Sequence, residues 1–299
     1  MKKVLVIMGS TASGKSELGI DLAKKYNGEI ISCDSVQVYK KLNIGSAKIT
    51  DDKGIKHHLI DILDLEQEMN VMLFQRLARE KIDEITARGK LPICVGGTGF
   101  YIKALLYDYQ FSEEAAHDDF SHLSNEQLHD QLTQLDPHQA QKIHVNNRQR
   151  LLRIFQQMAS SNKTRSELHQ SQKQEMLYDA KIIYLMTDRQ TLQDRINQRV
   201  DQMFEQGLKE EVDQVTDYGK NFDVQALSAI GYKEFRDYYL NHQTLEDVRE
   251  KIKTHTRQFS KRQMTWFKHQ LPGQLVDIFD QQQIQNVKQE IETWVNSSE

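Results

Sequence analysis

The segment Gly9–Ser16 (GSTASGKS) constrains the fold of this chain more than any other feature of its sequence. It directly follows the apolar run Val4–Met8 and leads into a helix-like stretch, Lys15–Tyr26. The spacing Gly-x-x-x-x-Gly-Lys-Ser between a strand and a helix is that of a Walker A loop, whose backbone N–H groups surround a phosphate. In such a loop Lys15 adds a positive charge and the Ser16 hydroxyl can bind Mg²⁺. The alternative, a glycine-rich turn with a surface lysine, leaves this spacing of glycines and hydroxyls unexplained.

Short apolar segments alternate with helical stretches along the chain, a pattern typical of a parallel sheet. The expected strands are Val4–Met8, Glu29–Cys33, Leu91–Val95 and Lys181–Met186, and the expected helices include Lys15–Tyr26, Val71–Arg88 and a final one near Gln282–Val295. We also expect the chain to be helical from Asp188 to about His269. The predicted fold class is α/β, a P-loop NTPase-like parallel sheet flanked by helices. Residues 1–111 and 181–299 would form this core, and residues 112–180 an inserted all-helical subdomain.

The composition sets limits on the class of protein. With 299 residues, 38% apolar and 27% charged, the chain is expected to be a soluble globular protein. Two cysteines allow no disulfide framework, and no apolar run approaches the roughly 18 residues of a membrane span. We therefore expect a cytoplasmic protein without a membrane partner. The net charge of −4 means that any nucleic acid must be bound by a local basic patch.

One carboxylate stands near the expected phosphate site. Nucleotide hydrolases and most motor ATPases place a Mg²⁺-binding aspartate at the end of a buried strand. No carboxylate follows Leu91–Val95, because that run continues into Gly96–Gly99. Asp34 instead follows the second apolar run, at the edge where open α/β sheets bind ligands. An aspartate at a strand end is more often a cap or a turn former; beside a phosphate loop it is also a candidate base.

Two basic clusters stand out in this acidic chain. Residues 249–268 carry seven Lys and Arg residues against one acid, Glu250, interleaved with aromatic side chains, and residues 142–153 form a second cluster. Such clusters indicate either a solvated helix face or a surface for RNA phosphates and unstacked bases. No function is assigned to His57 and His58, which would point to opposite sides of an extended segment, or to Cys33, a strand-end thiol without a visible His partner.

Eight motifs occur in the same order as in a known enzyme family. They are Gly9–Ser16, Asp34–Tyr39, Ile44–Lys48, Val95–Gly99, Asn147–Arg153, Arg195–Arg199, Ala229–Tyr232 and Lys261–Phe267. In this order they resemble the tRNA dimethylallyltransferases (tRNA isopentenyltransferases) over nearly the whole chain. The resemblance implies a Mg²⁺-dependent enzyme that transfers a dimethylallyl group from dimethylallyl pyrophosphate (DMAPP) to N6 of the adenosine 3′-adjacent to the anticodon of a tRNA, releasing pyrophosphate. We expect the bacterial form of the family, since the two cysteines allow no zinc-finger extension, and we also expect a monomer.

The resemblance also assigns roles to residues. The pyrophosphate would be bound by Gly9, Ser10, Thr11, Ala12, Ser13, Gly14, Lys15, Ser16 and Arg199, with Mg²⁺ on Ser16. Asp34 would be the general base, Lys15 and Arg199 would stabilise the leaving group, and Thr98 would lie near the reacting groups. The tRNA would be contacted by Asp34, Ser35, Val36, Gln37, Thr98, Gln149, Arg150, Leu151, Leu152, Arg153, Gly231, Tyr232, Lys261, Arg262, Gln263, Trp266 and Lys268. Gln37, with a donor and an acceptor, would read the adenine edge.

Some readings stay open at this point. Without the family resemblance, Arg195 and Arg199 are better explained as a solvated i,i+4 pair on one helix face. The segment from Ala104 to Gln141 has eight acids and no Lys or Arg, where the family commonly has an arginine. The loop and sheet are also compatible with an ATP-dependent kinase of a small molecule, and the basic clusters with a non-catalytic RNA-binding module.

Overall fold

The computed structural model of the protein describes residues 1–109, 111, 119–161, 163–167 and 175–297. It contains a six-stranded sheet in which all neighbouring strands run parallel. The strands are β1 (Lys3–Gly9), β2 (Gly28–Cys33), β3 (His57–His58), β4 (Leu91–Gly96), β5 (Asp179–Met186) and β6 (Gln274–Asp277). Their order across the sheet is β3-β2-β4-β1-β5-β6. The predicted parallel α/β class is confirmed.

The burial of the strands explains which of them the sequence revealed. Every residue of β2 and β4 is buried, as is every residue of β1 after Lys3. Strands buried on both faces appear in a sequence as continuous apolar runs. β3 and β6 were not predicted, because β3 has two residues and β6 has four, of which only Val276 is fully buried.

The helices agree with the sequence pattern except in one long region. They are α1 (Lys15–Lys25), α2 (Val71–Ala87), α3 (Gly99–Leu106), α4 (Asn125–Leu135), α5 (Pro137–Ala140), α6 (Arg148–Ser161), α7 (Arg189–Glu205), α8 (Leu208–Val215), α9 (Arg236–Tyr239), α10 (Leu245–Gln270) and α11 (Gln281–Asn296). The expected continuous helical region up to His269 was wrong: residues 216–244 are irregular, with two 3₁₀ turns and the short α9. The expected helical region is interrupted at three glycines, Gly207, Gly219 and Gly231, whose φ angles are 97°, 90° and 101°. This left-handed conformation ends helices.

The chain divides into two compact units. One comprises Met1–Leu106 and Met176–Glu299 and holds the sheet, and the other is Tyr107–Glu175. These boundaries lie five residues before the expected limits of 112 and 180 at both ends. In the second unit, α4 and α6 enclose an apolar cluster that includes Leu128, Leu132, Leu151, Ile154 and Phe155. No described helix has both the length and the apolar composition that a membrane crossing requires.

The sheet topology determines where a ligand can bind. The parallel strands β2, β4, β1 and β5 end at the same edge, so the segments that follow them lie side by side. In open α/β sheets ligands bind outside the carboxyl ends of the strands. The loop after β1, Asp34 after β2 and Thr98 after β4 all lie at this edge.

Candidate active site

The turn between β1 and α1 has the shape of an anion-binding loop. Ala12 and Gly14 adopt left-handed conformations, with φ of 64° and 79°. A Cβ at Gly9 would lie 2.3 Å from Ser13 Oγ, so a larger residue does not fit where the chain leaves β1. None of the described side chains caps the N-terminus of α1, which leaves its first N–H groups available to an anion. The buried Ser13 hydroxyl, which has no partner in the described part of the chain, is a further donor inside the loop.

The Lys15 side chain lies beside this loop with its ammonium group buried. Its Nζ donates a hydrogen bond to the Ser10 carbonyl oxygen at 3.2 Å. Burial and, to a lesser extent, the neighbouring Arg199 lower the pKa of Lys15 to about 8, against the opposing effect of the Asp34 carboxylate. Because the ammonium lacks solvation, an anionic ligand beside it would be strongly favoured.

Two arginines of α7 reach the same region. Arg195 Nε donates to the Ala12 carbonyl oxygen of the loop at 2.9 Å, and its guanidinium packs on the Phe279 ring, 5.5 Å from the centroid. Arg199 Nη2 donates to the Ala47 carbonyl oxygen at 3.4 Å, and burial lowers the pKa of this guanidinium below its ordinary value. The i,i+4 pair therefore faces the phosphate loop and not the solvent. In the sequence, Arg195 is part of the Arg195–Arg199 motif, but it has no predicted role in the site.

Asp34 forms the turn after β2 with one of its two oxygens. Asp34 Oδ1 accepts hydrogen bonds from the backbone N–H groups of Val36 at 2.8 Å and Gln37 at 3.3 Å. Among the described residues none donates to Oδ2. The turn-former interpretation is therefore correct, and it leaves the second oxygen available for chemistry.

The Gln37 amide is engaged within the protein at both ends. Its Oε1 accepts from Ser32 Oγ at 3.1 Å, and its Nε2 donates to the carbonyl oxygens of Ser46 and Ala47, both at 3.3 Å. In this arrangement Gln37 holds the 46–47 segment against β2. Contact with an adenine edge would require the side chain to exchange these partners.

Thr98 begins α3 at the end of β4. Its N–H donates to the Cys33 carbonyl oxygen, and its own carbonyl oxygen accepts from Tyr101 and Ile102. The side chain is half-buried, and its hydroxyl is not needed for these backbone contacts. It is therefore free to meet a ligand at the carboxyl edge.

A cavity of about 490 Å³ joins these groups. Its polar wall includes Thr11, Lys15, Ser16, Asp34, Thr98 and Arg199. Its apolar wall includes Ile196, Val200, Met203, Ala226, Ile230 and Ile252. Ser35, Val36, Gln37, Gly231, Arg262 and Gln263 from the predicted site also line it. Lys15, Arg199 and the Asp34 carboxylate thus share one cavity with an apolar surface.

Phe259 and Lys233 line the cavity although neither was among the predicted site residues. Phe259 is 36% exposed, and the Arg262 guanidinium lies 5.8 Å from the centre of its ring. Lys233 follows the Ala229–Tyr232 motif and lines the cavity as well. The i,i+3 spacing of Phe259 and Arg262 on α10 is visible in the sequence. The sequence does not show that both side chains line the cavity.

The cations of α10 fall into two groups. Those near its first half are engaged by other parts of the protein: Arg249 and Lys253 with Asp201, Lys251 with Asp237, and Arg257 with Asn197. For Lys261, Arg262 and Lys268, no carboxylate partner occurs in the described ranges. The cations of α10 that have neither a carboxylate nor an amide partner in the described ranges therefore lie in its C-terminal half, whereas Arg257 is held by the neutral Asn197 amide.

Three residues of the first unit that were predicted to contact tRNA have packing partners within the protein. Gln263 is buried, and its Nε2 donates to the Gly97 carbonyl oxygen at 2.9 Å. Trp266 covers Gly99 so closely that a Cβ there would lie 2.3 Å from the indole ring. Tyr232 has no exposed surface. These side chains attach α10 and the Gly231 turn to the cavity wall.

The predicted tRNA contacts of the second unit lie on α6. Gln149, Arg150 and Arg153 are exposed and Leu152 is half-buried. Leu151 is completely buried in the apolar cluster of that unit, so its side chain stabilises the helix from inside.

The residues that were set aside have structural partners. His58 Nε2 lies 2.7 Å from Glu29 Oε2, whereas His57 Nδ1 lies 2.8 Å from the Ile55 carbonyl oxygen. The two imidazole rings therefore contact different groups. Cys33 is buried, and burial raises the pKa of its thiol well above the ordinary value. No cluster of three or more His, Cys, Asp or Glu side chains that could hold a metal ion occurs among the described residues.

The loop, the sheet and the cavity define a class of protein: a P-loop α/β protein whose anion-binding loop lies next to a carboxylate. Comparison with known proteins narrows the class. The IPP transferase family profile matches residues 37–270, and the isopentenyl transferase profile matches residues 2–69. This chain belongs to the IPP transferase family.

Individual relatives agree with this assignment. The chain is 50% identical over 286 residues to a tRNA dimethylallyltransferase of Exiguobacterium sibiricum, covering 92% of this chain and 89% of the relative. It is 46% identical over 285 residues to that of Anoxybacillus flavithermus, with 93% and 91% covered.

Solved structures show the same similarity. A tRNA delta(2)-isopentenylpyrophosphate transferase from Staphylococcus epidermidis superposes with a TM-score of 0.74 at 39% identity, covering 98% of this chain and all of the other. A eukaryotic dimethylallyltransferase acting on tRNA superposes with a TM-score of 0.84 at 31% identity, covering 98% of this chain and 78% of the other.

Proposed function

We propose that this protein transfers a dimethylallyl group from DMAPP to N6 of the adenosine 3′-adjacent to the anticodon of a tRNA, with release of pyrophosphate. The names of its relatives support the reaction class. The observation that carries the proposal is the single cavity in which the cations Lys15 and Arg199 and the carboxylate of Asp34 meet. Transfer of an allylic group from a diphosphate to an amine needs both: cations for the departing anion and a base for the departing proton.

The leaving group would bind in the loop after β1. As the C–O bond of the allylic carbon breaks, negative charge grows on the pyrophosphate oxygens. The N–H groups of α1, Lys15 and Arg199 would stabilise this charge, and they are already in place before reaction. Because Lys15 and Arg199 are poorly hydrated, their interaction with the anion would be stronger than in water.

A magnesium ion fits this donor set. Mg²⁺ in phosphate sites is commonly held by one or two protein oxygens together with phosphate oxygens and water. The Ser16 hydroxyl, next to Lys15 on the cavity wall, would be the protein oxygen that holds the ion. When bound there, the ion would neutralise charge on the pyrophosphate.

Asp34 would accept the proton of the attacking amine. The lone pair of adenine N6 is delocalised into the ring, so the new C–N bond forms more readily if the proton leaves N6 at the same time. The two backbone N–H groups on Oδ1 fix the carboxylate, and Oδ2 would take the proton. Thr98, on the same wall, would contact the adenine.

The tRNA would be bound by exposed cations. Lys261, Arg262 and Lys268 on α10 and Arg150 and Arg153 on α6 would contact its phosphates. Phe259 at the cavity wall would stack on an unpaired base.

One assay tests the proposal. The protein is incubated with DMAPP, Mg²⁺ and unmodified tRNA that carries adenosine 3′ of the anticodon, and the nucleosides are then analysed by mass spectrometry. We expect one dimethylallyl group on that adenosine. If the tRNA binds and the nucleoside stays unmodified, the enzyme proposal is wrong and a non-catalytic RNA-binding role remains. A phosphorylated acceptor formed with ATP would instead identify a kinase.

A further inference from the structure

Glu211 on α8 makes an unusually complete set of hydrogen bonds to a distant loop. Its Oε2 accepts from the N–H groups of Asn43 and Ile44, both at 2.8 Å, and its Oε1 accepts from the N–H of Gly45 at 3.0 Å. Its Oε1 also accepts from Tyr232 Oη at 2.8 Å. Successive N–H groups that converge on one carboxylate form an anion-binding nest, so Glu211 is the ion that organises this turn.

The loop that Glu211 holds contributes directly to the cavity. Gly45, Ser46 and Ala47 line it. The Ala47 carbonyl oxygen accepts a hydrogen bond from Arg199, and in the described part of the chain no other group accepts one from that guanidinium. Glu211 is thus connected to Arg199 through one short backbone segment.

The packing around Tyr232 leaves this segment little freedom. A Cβ at Gly45 would lie 2.5 Å from Tyr232 Cζ, and a Cβ at Gly231 would lie 3.2 Å from the Gly45 carbonyl oxygen. Tyr232 is fully buried, and burial, together with the charge of Glu211, raises the pKa of its phenol above the ordinary value. The phenol therefore stays a hydrogen-bond donor to Glu211 at any working pH.

We propose that Glu211 is a positioning residue of the transfer reaction: it fixes the 43–47 segment so that the Ala47 carbonyl orients the Arg199 guanidinium toward the leaving group. This inference rests on the proposed function. Glu211 does not line the cavity, and its effect would pass through Arg199. A displacement of about 1 Å in a charged group near the reacting atoms is enough to cost on the order of 100-fold in rate.

The test is a double-mutant cycle on the full-length protein. Glu211→Gln keeps the size of the side chain but replaces one acceptor oxygen with an NH₂ group. This group cannot accept hydrogen bonds from the backbone N–H groups of the 43–45 turn. We measure single-turnover transfer from DMAPP to tRNA for Glu211→Gln, Arg199→Ala and the double variant. The expected loss is about 10- to 100-fold for Glu211→Gln in the wild-type background and close to none in the Arg199→Ala background, because coupled residues are not additive. The KM for tRNA should not change.

Controls separate this role from a loss of folding. Glu210→Gln, on the exposed neighbour in the same helix, should react at the wild-type rate. Glu211→Asp keeps two acceptor oxygens and should recover part of the rate. If thermal melting shows that Glu211→Gln does not fold, Glu211→Asp takes its place in the cycle. Equal losses in both backgrounds, or a wild-type rate for the folded Glu211 variant, would overturn the inference; absence of transfer by the wild-type protein would instead refute the proposed function.

Discussion

The lowered pKa of Lys15 predicts how the affinity for DMAPP changes with pH. In the free protein the ammonium loses its proton near pH 8, because burial and Arg199 disfavour the charge. In the complex the negative diphosphate would raise this pKa, so the proton is kept. Around and above pH 8, the binding of DMAPP therefore takes up a proton from solution. The affinity for DMAPP falls as the pH rises through that value.

The size of the effect follows from the pKa. The Kd for DMAPP should scale with 1 plus the ratio of neutral to charged Lys15. Between about pH 7 and pH 9 this factor rises about tenfold, which corresponds to about 1.4 kcal/mol of binding free energy. Below pH 7 the affinity should level off, since nearly all of Lys15 is then protonated.

Titration calorimetry without Mg²⁺ measures this dependence, with Lys15→Arg as the matched control. An arginine at position 15 stays charged throughout this pH range. A change of affinity caused by titration of DMAPP itself will appear equally in the wild-type protein and in the variant. We expect the Kd of the wild-type protein to rise relative to that of the variant above pH 8. Parallel pH curves for the two proteins would refute the assignment of Lys15 as a poorly hydrated pyrophosphate ligand.

Three variants test other parts of the site. Asp34→Asn should slow the single-turnover step by about 10²- to 10⁴-fold, as loss of a general base does, while the Kd for DMAPP stays nearly constant; a large loss of DMAPP affinity would contradict its role. Replacing Lys261 and Arg262 with Ala should weaken tRNA binding and reduce its salt slope by up to about one unit per lost phosphate contact. Lys251→Ala, at an already paired cation, is the control, and an unchanged slope in the double variant would exclude the contact. Gly45→Ala should lower the free energy of unfolding by about 1–3 kcal/mol, seen as a lower Tm, because its Cβ meets a tyrosine ring.

The parts of the fold that the sequence predicted are those with a local signal. β1, β2 and β4 are continuous apolar runs because both of their faces are buried. The four-residue β6 depends on pairing with β5, and its own sequence, Gln274–Asp277, has one fully buried residue. Residues 216–244 have helix-like composition, but tertiary contacts and left-handed glycines set their conformation instead.

The same distinction applies to the site. The phosphate loop is contiguous, so its spacing alone identified it. Arg199 was recognisable only through the family resemblance, since an i,i+4 arginine pair on a helix carries no direction. Glu211 was not identified at all: its partners in the 43–45 turn lie 166 to 168 residues away along the chain. A carboxylate on an amphipathic helix looks solvated until the loop it binds is known.

Asp34 shows why two opposed interpretations of one residue can both hold. As a turn former it uses Oδ1, which accepts the N–H groups of Val36 and Gln37. These bonds fix the side-chain rotamer at the cavity wall, where Lys15 and Arg199 also lie. A general base needs a fixed position and a free lone pair. The turn fixes the Asp34 side chain through Oδ1 and leaves the lone pairs of Oδ2 free. The turn is therefore the structural condition under which this aspartate can act as a base.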